Sequence, residues 1–224
     1  MDKSPTEEIE ATLHRRIPRW PAIVALLVIA ASYWILSESL KVVSREVMLG
    51  VVVTGIALIL LARLRGHHRL VRSLAIGLIA AVTLAEATSM LLLVSLLPRG
   101  EAVPAPALLR DAAIIWGINV VTFALWYWEI DGGGPVIRRL RPYQSKDFLF
   151  PQQAAREEEN GGSSTSSWSP DFIDYLFLAF NHSTAFSPTD TAVLSRRAKV
   201  LVMIQATLSL MAIAVLAAKA INTL

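Results

Sequence analysis

The chain contains no cysteine, which excludes disulfides, thiolate catalysis and cysteine-held metals. Charge is scarce, at 17% of residues against roughly 25% in soluble domains. The apolar runs lack the polar stripe that a water-soluble amphipathic helix carries. No zinc-helix motif, related Ser/His/Asp set or phosphate-binding loop occurs, so neither an enzyme nor a cofactor is expected. Gly132-Gly133-Gly134 has no strand pattern before it and no GK[ST] after it, and is read as a turn. The first apolar block lacks a small-residue cleavage site and is read as a retained span.

Apolar residues are abundant, at 54%, and they are grouped. The blocks match the ~20 residues that an α-helix needs to cross a hydrocarbon core. They place spans near 20–36, 47–62, 74–97 and 112–128, and a last one in 196–220. The predicted fold is all-α, a polytopic transmembrane helical bundle with five full spans plus a short re-entrant or sixth helix. Four units follow: a cytoplasmic amphipathic arm (1–19), a four-helix transmembrane region (20–129), a polar cytoplasmic linker (130–168) and a helix-loop-helix module (169–224). The arm opens with the capping box Ser4-Pro5-Thr6-Glu7. Trp116, Trp126, Tyr127 and Trp128 are read as interfacial anchors.

Basic residues mark the cytoplasmic side of short loops. They crowd the arm, the stretch Arg63, Arg65, His67, His68, Arg69, Arg72, and the segment Arg138, Arg139, Arg141. That arrangement predicts a cytoplasmic N-terminus. The clusters fit membrane topology, so no nucleic acid partner is expected. His67 and His68 are adjacent and project about 100° apart on a helix, so they are read as part of a solvated loop and not as a metal pair. The same rule leaves residues 172–186 undecided. If they cross, Arg196, Arg197 and Lys199 fall outside; if they re-enter, those residues stay inside.

The last module reads as a capped start (Ser169-Pro170-Asp171), a short apolar helix, a polar loop and a long helix. Asn181, His182, Ser183 and Thr184 form the densest uncharged polar patch at membrane depth. They line a vestibule, or they satisfy a loop's own backbone. Ser187-Pro188-Thr189-Asp190 is read as a second helix start, with Asp190 at the positive end of the dipole. Glu86 lies in the middle of the third span. A charge there costs about 2.5–3.5 kcal/mol on insertion scales, and such residues usually face a bundle interior or water. Its two readings are a proton or cation site, or a protonated carboxyl bonded to a neighbouring helix. Gln205, Thr207 and Ser209 are expected as interhelical hydrogen-bond partners.

Phe172-x-Asp174-Tyr175-Leu176-Phe177, the segment 181–190 and the helix 196–220 together resemble the pore module of the tetrameric potassium-channel superfamily. The filter motif TVGYG is absent: the matching stretch is Thr184-Ala185-Phe186-Ser187-Pro188-Thr189, which cannot stack the same carbonyls. Asp174, Tyr175, Asp190, Ser195, Arg196 and Arg197 make the whole chain similar to an uncharacterised family of bacterial multi-pass inner-membrane proteins. That similarity implies a cell inner membrane location without an assigned activity. The first functional expectation is a channel-like or transport-related protein, with Glu86, Asn181, His182, Ser183, Thr184 and Asp190 as candidate pore or polar site. The alternative is a non-conducting accessory subunit. The lipid bilayer and further copies of the chain are the expected partners, and the solute is open.

Overall fold

The computed structural model describes residues 19–96, 104–140, 146–159, 168–184 and 190–222. The capping box of the arm, the 161–167 linker and Ser187 to Thr189 lie outside them. The helices are α1 (Trp20–Ile35), α2 (Arg45–Leu64), α3 (His68–Leu96), α4 (Ala105–Ile130), α5 (Pro135–Leu140), α6 (Pro151–Glu159), α7 (Phe172–Thr184) and α8 (Arg196–Asn222). Two short strands, β1 (Phe148–Leu149) and β2 (Ala192–Val193), pair antiparallel. Four helices, α2, α3, α4 and α8, are long and apolar enough to cross a membrane, and α1 is shorter. Leucine and valine side chains such as Leu27, Val51, Leu61, Leu84 and Leu210 face outward, a surface that a soluble monomer rarely presents.

Local chemistry sets the helix ends. Ser44 accepts from the Val47 amide at the start of α2, an N-cap. Asp171 accepts from the amides of Ile173 and Asp174, while Asp174 accepts from the amide of Asp171 at 2.7 Å. This reciprocal pair is a capping box built from two aspartates. The end of α4 needs glycine. Gly132, Gly133 and Gly134 all have positive φ, and a Cβ at Gly134 would sit 3.2 Å from the Glu129 carbonyl oxygen. The turn therefore closes tightly, and α5 follows it close enough for Arg138 to reach the Trp128 carbonyl at the end of α4. Gly55 acts differently: a Cβ there would meet Leu78 at 2.7 Å, so its absence lets α2 lie close against α3.

The centre of the bundle is α4, which touches α1, α3, α7 and α8. One end of α4 gathers the basic residues. Arg19 bonds Glu129 at 2.9 Å, Arg138 donates to the carbonyls of Trp128 and Asp131, and Arg197 donates to the carbonyl of Ile130. Arg63 shares a slot with Arg19 and Glu129. The opposite end holds Arg110, which reaches Ser37.

The path of α7 follows from its neighbours. Phe172 packs edge-on to Trp128 near the basic end, and Phe180 packs edge-on to Trp116 half-way along α4. By residue 192 the chain is back at the basic end, where Val193 pairs with Phe148 and the Leu194 amide donates to Asp147. The helix has 13 residues, about 20 Å of rise, against the ~30 Å of a hydrocarbon core. It runs from the basic end to about the middle of α4, and β2 lies back at the basic end.

Several sequence expectations are corrected here. The basic stretch 63–72 is not one loop: the turn is confined to Arg65, Gly66 and His67, and α3 begins at His68. The fourth helix starts at Ala105, seven residues before the expected 112. Asn181 to Thr184 are the last turn of α7 and not a loop. The last helix is not opened by Ser187 to Asp190. Ser195 caps it, accepting from the Ala198 amide at 3.2 Å, because residues 192 and 193 are held extended against β1. Asp190 is exposed and precedes that strand. Residues 147, 148 and 150 of the polar segment 130–168 are buried in the bundle. Tyr127 and Trp128 are interior and not interfacial.

Because the native chain has no cysteine, single cysteines placed at the exposed Asp171 and Asp190 provide a clean topology test. Both are expected to react with a membrane-impermeant maleimide from the same face of sealed vesicles. Reaction from opposite faces would mean a crossing between them.

Candidate functional site

Asn119, Phe123 and Tyr127 on α4 and Asp131 just past its end recur every four residues and are all buried. That spacing puts them on one ridge of the helix, and the ridge faces α7 and α8. Three of its four members are polar, and each finds partners on other elements.

At mid-depth the Asn119 amide donates to Glu86 Oε1 on α3 at 2.8 Å. Its carbonyl oxygen accepts from Ser209 on α8 at 2.8 Å and from Ser183 on α7 at 3.4 Å. Gln205 on α8 donates to Ser183 Oγ and to the carbonyl of Ala179, both at 2.7 Å. Tyr127 closes the chain by donating its hydroxyl hydrogen to Gln205 Oε1. The run Glu86–Asn119–Ser183–Gln205–Tyr127 thus joins four helices through side chains alone. Glu86 is 3% exposed. Its second oxygen, Oε2, has no hydrogen bond among the described residues, although the Thr122 side chain lies beside the carboxyl. The groups that approach Glu86 from α4, the Asn119 amide and the Thr122 hydroxyl, are both neutral.

A second polar cluster sits at the basic end. Asp131 Oδ1 accepts from the amides of Asp147 and Phe148, and Oδ2 accepts from the Tyr175 hydroxyl at 2.5 Å. Asp147 in turn accepts from the Gly132 amide, from the Ser195 hydroxyl, and from Arg197 at 2.7 and 2.6 Å. The Arg197 pair is bidentate, the strong form of guanidinium–carboxylate contact. Arg138 lies over the Tyr175 ring at 5.0 Å. This cluster joins the glycine turn, β1, α7 and the start of α8.

The structure brings Glu86 and Ser183 together, linked by Asn119. His182 stands next to them with its ring edge-on to Tyr127, centroids 5.9 Å apart. Asn181 and Thr184 are half-buried, and Thr184 donates to the Asn181 carbonyl within its own turn. Asp190 is not in this group. Gln205 and Ser209 do bond across helices as expected, whereas Thr207 faces outward and bonds its own helix at Met203. The sequence reading missed Asn119, Tyr127, Asp131 and Asp147. The recurrence at 119, 123, 127 and 131 carried a signal, but Asn119 and Tyr127 stand among apolar residues and Asp131 reads as part of the glycine turn.

Removing Asn119 strips three interhelical hydrogen bonds at once. Asn119→Ala is expected to cost about 2 kcal/mol in detergent-based unfolding, from ~0.6–1.7 kcal/mol per bond in membrane proteins. Thr207→Val is expected to change stability by less than about 0.5 kcal/mol. Asp147→Ala, which removes the acceptor of the buried Gly132 amide, of Ser195 and of the half-exposed Arg197, is expected to cost about 2 kcal/mol. Equal losses for Asn119→Ala and Thr207→Val would show that the network carries no stability. Compared with known proteins, the chain is matched by no family model, no curated protein and no solved structure.

Proposed function

We propose that this chain is an integral membrane protein of channel-like or transport-related function, in which Glu86 exchanges a proton or a small cation. One observation carries the reading: a carboxyl at mid-span, bonded to a neutral amide and to no cation among the described residues, with one oxygen left over. A buried carboxylate of purely structural use is normally paired with a cation or with several donors. Glu86 has the chemistry of a group that trades charge with a mobile ion, and intramembrane carboxylates commonly do so.

The hydrogen-bonded run through Asn119, Ser183, Gln205 and Tyr127 supplies a path of protic groups towards the basic end. Its middle member sits on α7, which behaves as a re-entrant helix. Backbone that stops at membrane depth is tolerated when covered by protein or facing water, and α7 lies against α4 and α8. On this reading the basic end is cytoplasmic by the positive-inside rule, and α1 is the fifth crossing. Its 16 residues rise about 24 Å, short but within reach of a bilayer that thins locally.

A second reading is favoured by a different observation. Asn119, Ser183 and Gln205 spend their hydrogen-bonding capacity on each other and on neighbouring side chains and backbone. Such saturation suits a non-conducting accessory subunit whose pore-like hairpin has become structural. Purified protein in liposomes separates the two. The first reading expects wild type to dissipate an imposed proton, sodium or potassium gradient, and Glu86→Gln to slow that by about tenfold or more, since the isostere keeps the amide contact and loses the exchangeable charge. Gradients held by wild type as well as by protein-free vesicles would leave the accessory reading standing.

A further inference from the structure

We infer that Asp111 and Ser89 form an outer station for a small monovalent cation, by which Glu86 is reached from the end of the bundle opposite the basic cluster. The station's use as an approach rests on the proposed exchange at Glu86. Three buried oxygens mark it. Glu86 Oε2, Ser89 Oγ and Asp111 Oδ2 each lack a hydrogen bond among the described residues, and their residues are 3%, 1% and 0% exposed. They are ordered by depth. Helix α3 starts at the basic end, so Ser89 lies one turn beyond Glu86 towards the far end and, at the i+3 position, on the same face. Helix α4 packs against α3 and runs the other way. Asp111 precedes Asn119, the partner of Glu86, by two turns. That places it about 12 Å nearer the same far end, on the ridge that Asn119 shares.

Helix structure explains neither Ser89 nor Asp111. Thr83, Thr88 and Ser95 on α3 return their hydroxyls to carbonyls of their own helix, the usual course for such residues. Ser89 is more buried than these and does not. Asp111 stands in the second turn of α4, past the free amides that a carboxylate at a helix start would serve. Its Oδ1 accepts from Arg110 at 3.0 Å, but the Arg110 side chain is 51% exposed and also donates to Ser37. Asp147, at the other end, shows a carboxylate with both oxygens taken. A buried carboxylate held on one oxygen only, with a hydroxyl further in, offers oxygen ligands of the kind that line cation paths. With Arg110 offsetting part of one negative charge, the ligand is monovalent.

Silver ion, a small monovalent cation that bonds thiolates, reads the station without any flux. Ser89→Cys is placed in the otherwise cysteine-free chain. Val82→Cys, on the same buried face one turn to the other side of Glu86, is the apolar control. Sealed vesicles meet silver nitrate on one face, then are denatured and chased with a fluorescent maleimide. The exposed positions Glu38→Cys and Asp190→Cys identify the two faces. From the Glu38 face, Ser89→Cys is expected to be protected at least roughly tenfold faster than Val82→Cys, since a cation is costly in an apolar site. Asp111→Asn is expected to slow that reaction roughly tenfold, the low end of what a charge-lined cleft adds to an on-rate. Arg110→Gln, which removes the opposing cation, is expected to speed it. Reaction with uncharged methyl methanethiosulfonate is expected to be unchanged in both variants, which separates charge from folding. Protection from the Asp190 face alone, or no faster than at Val82→Cys, would overturn the proposal; a path open to protons only falls under the second outcome. Equal slowing of both reagents by Asp111→Asn would also overturn it, because Asp111 would then serve packing. Ion gradients held by wild type while Ser89→Cys is still reached would remove exchange at Glu86 and leave the station in place.

Discussion

The carboxylate of Asp147 gathers a backbone amide from the glycine turn, a serine hydroxyl and both donor faces of an arginine onto two oxygens. Its own amide is held by Asp131 at the end of α4. Each bond ties a different stretch of chain to the same spot, so the start of α8 cannot drift from the end of α4. Once that end is pinned, α7 has to lie between them and return. The half-depth course of α7 follows from this knot more than from anything in its own thirteen residues.

Around the knot, the bundle divides its polarity by depth and by direction. The ridge of α4 that faces α7 and α8 is polar at three of four positions, while α2 carries its side chains outward into what its leucines and valines mark as lipid. Lipid offers no hydrogen bonds, so groups on the inner ridge must satisfy each other. They do so across helices, through Asn119, Ser183, Gln205 and Tyr127. Apolar packing gives little preference among apolar neighbours in a bilayer. Directional polar contacts of this kind select which helices meet. The same arrangement leaves Glu86 Oε2 without a hydrogen bond among the described residues.

The four long helices were legible because their signal is compositional, an apolar run of sufficient length, whereas the expected first span is the shorter α1. Glu86 stood out by the same rule, as a charge where none is cheap. Ser183 was found for a poor reason, as a member of a loop that is in fact the last turn of α7. A run such as Phe180-Asn181-His182-Ser183 reads polar in sequence, yet on a helix it splits, with Ser183 buried and Phe180 outward. Asp147 was illegible. It sits between Lys146 and Phe148 in a stretch rich in charge, and its partners are 16 residues upstream and 50 downstream. Nothing local distinguishes a buried aspartate from a solvated one; only the long-range pairing does. Tyr127 and Trp128 misled in the opposite sense. Aromatics near a span's end suit a headgroup boundary, but α4 is surrounded by other helices, so its end is interior.

The same geometry bears on the conflict posed by the topology rule. A full crossing by residues 172–186 would have put Arg196, Arg197 and Lys199 opposite the other basic clusters. Instead Arg197 bonds the carbonyl of Ile130, at the end of α4 where Arg19 and Arg138 also dock. These arginines do more than mark a side. Arg19 and Arg138 are largely buried and lie beside Glu129 and Asp131, so these charges close one end of the bundle. Carboxylates and guanidinium groups are tolerated there because they are paired, and the pairs need each other's presence at one face. A topology with Arg197 on the far side would leave Asp147 without its strongest partner, so the charge pattern and the fold select the same course for the chain.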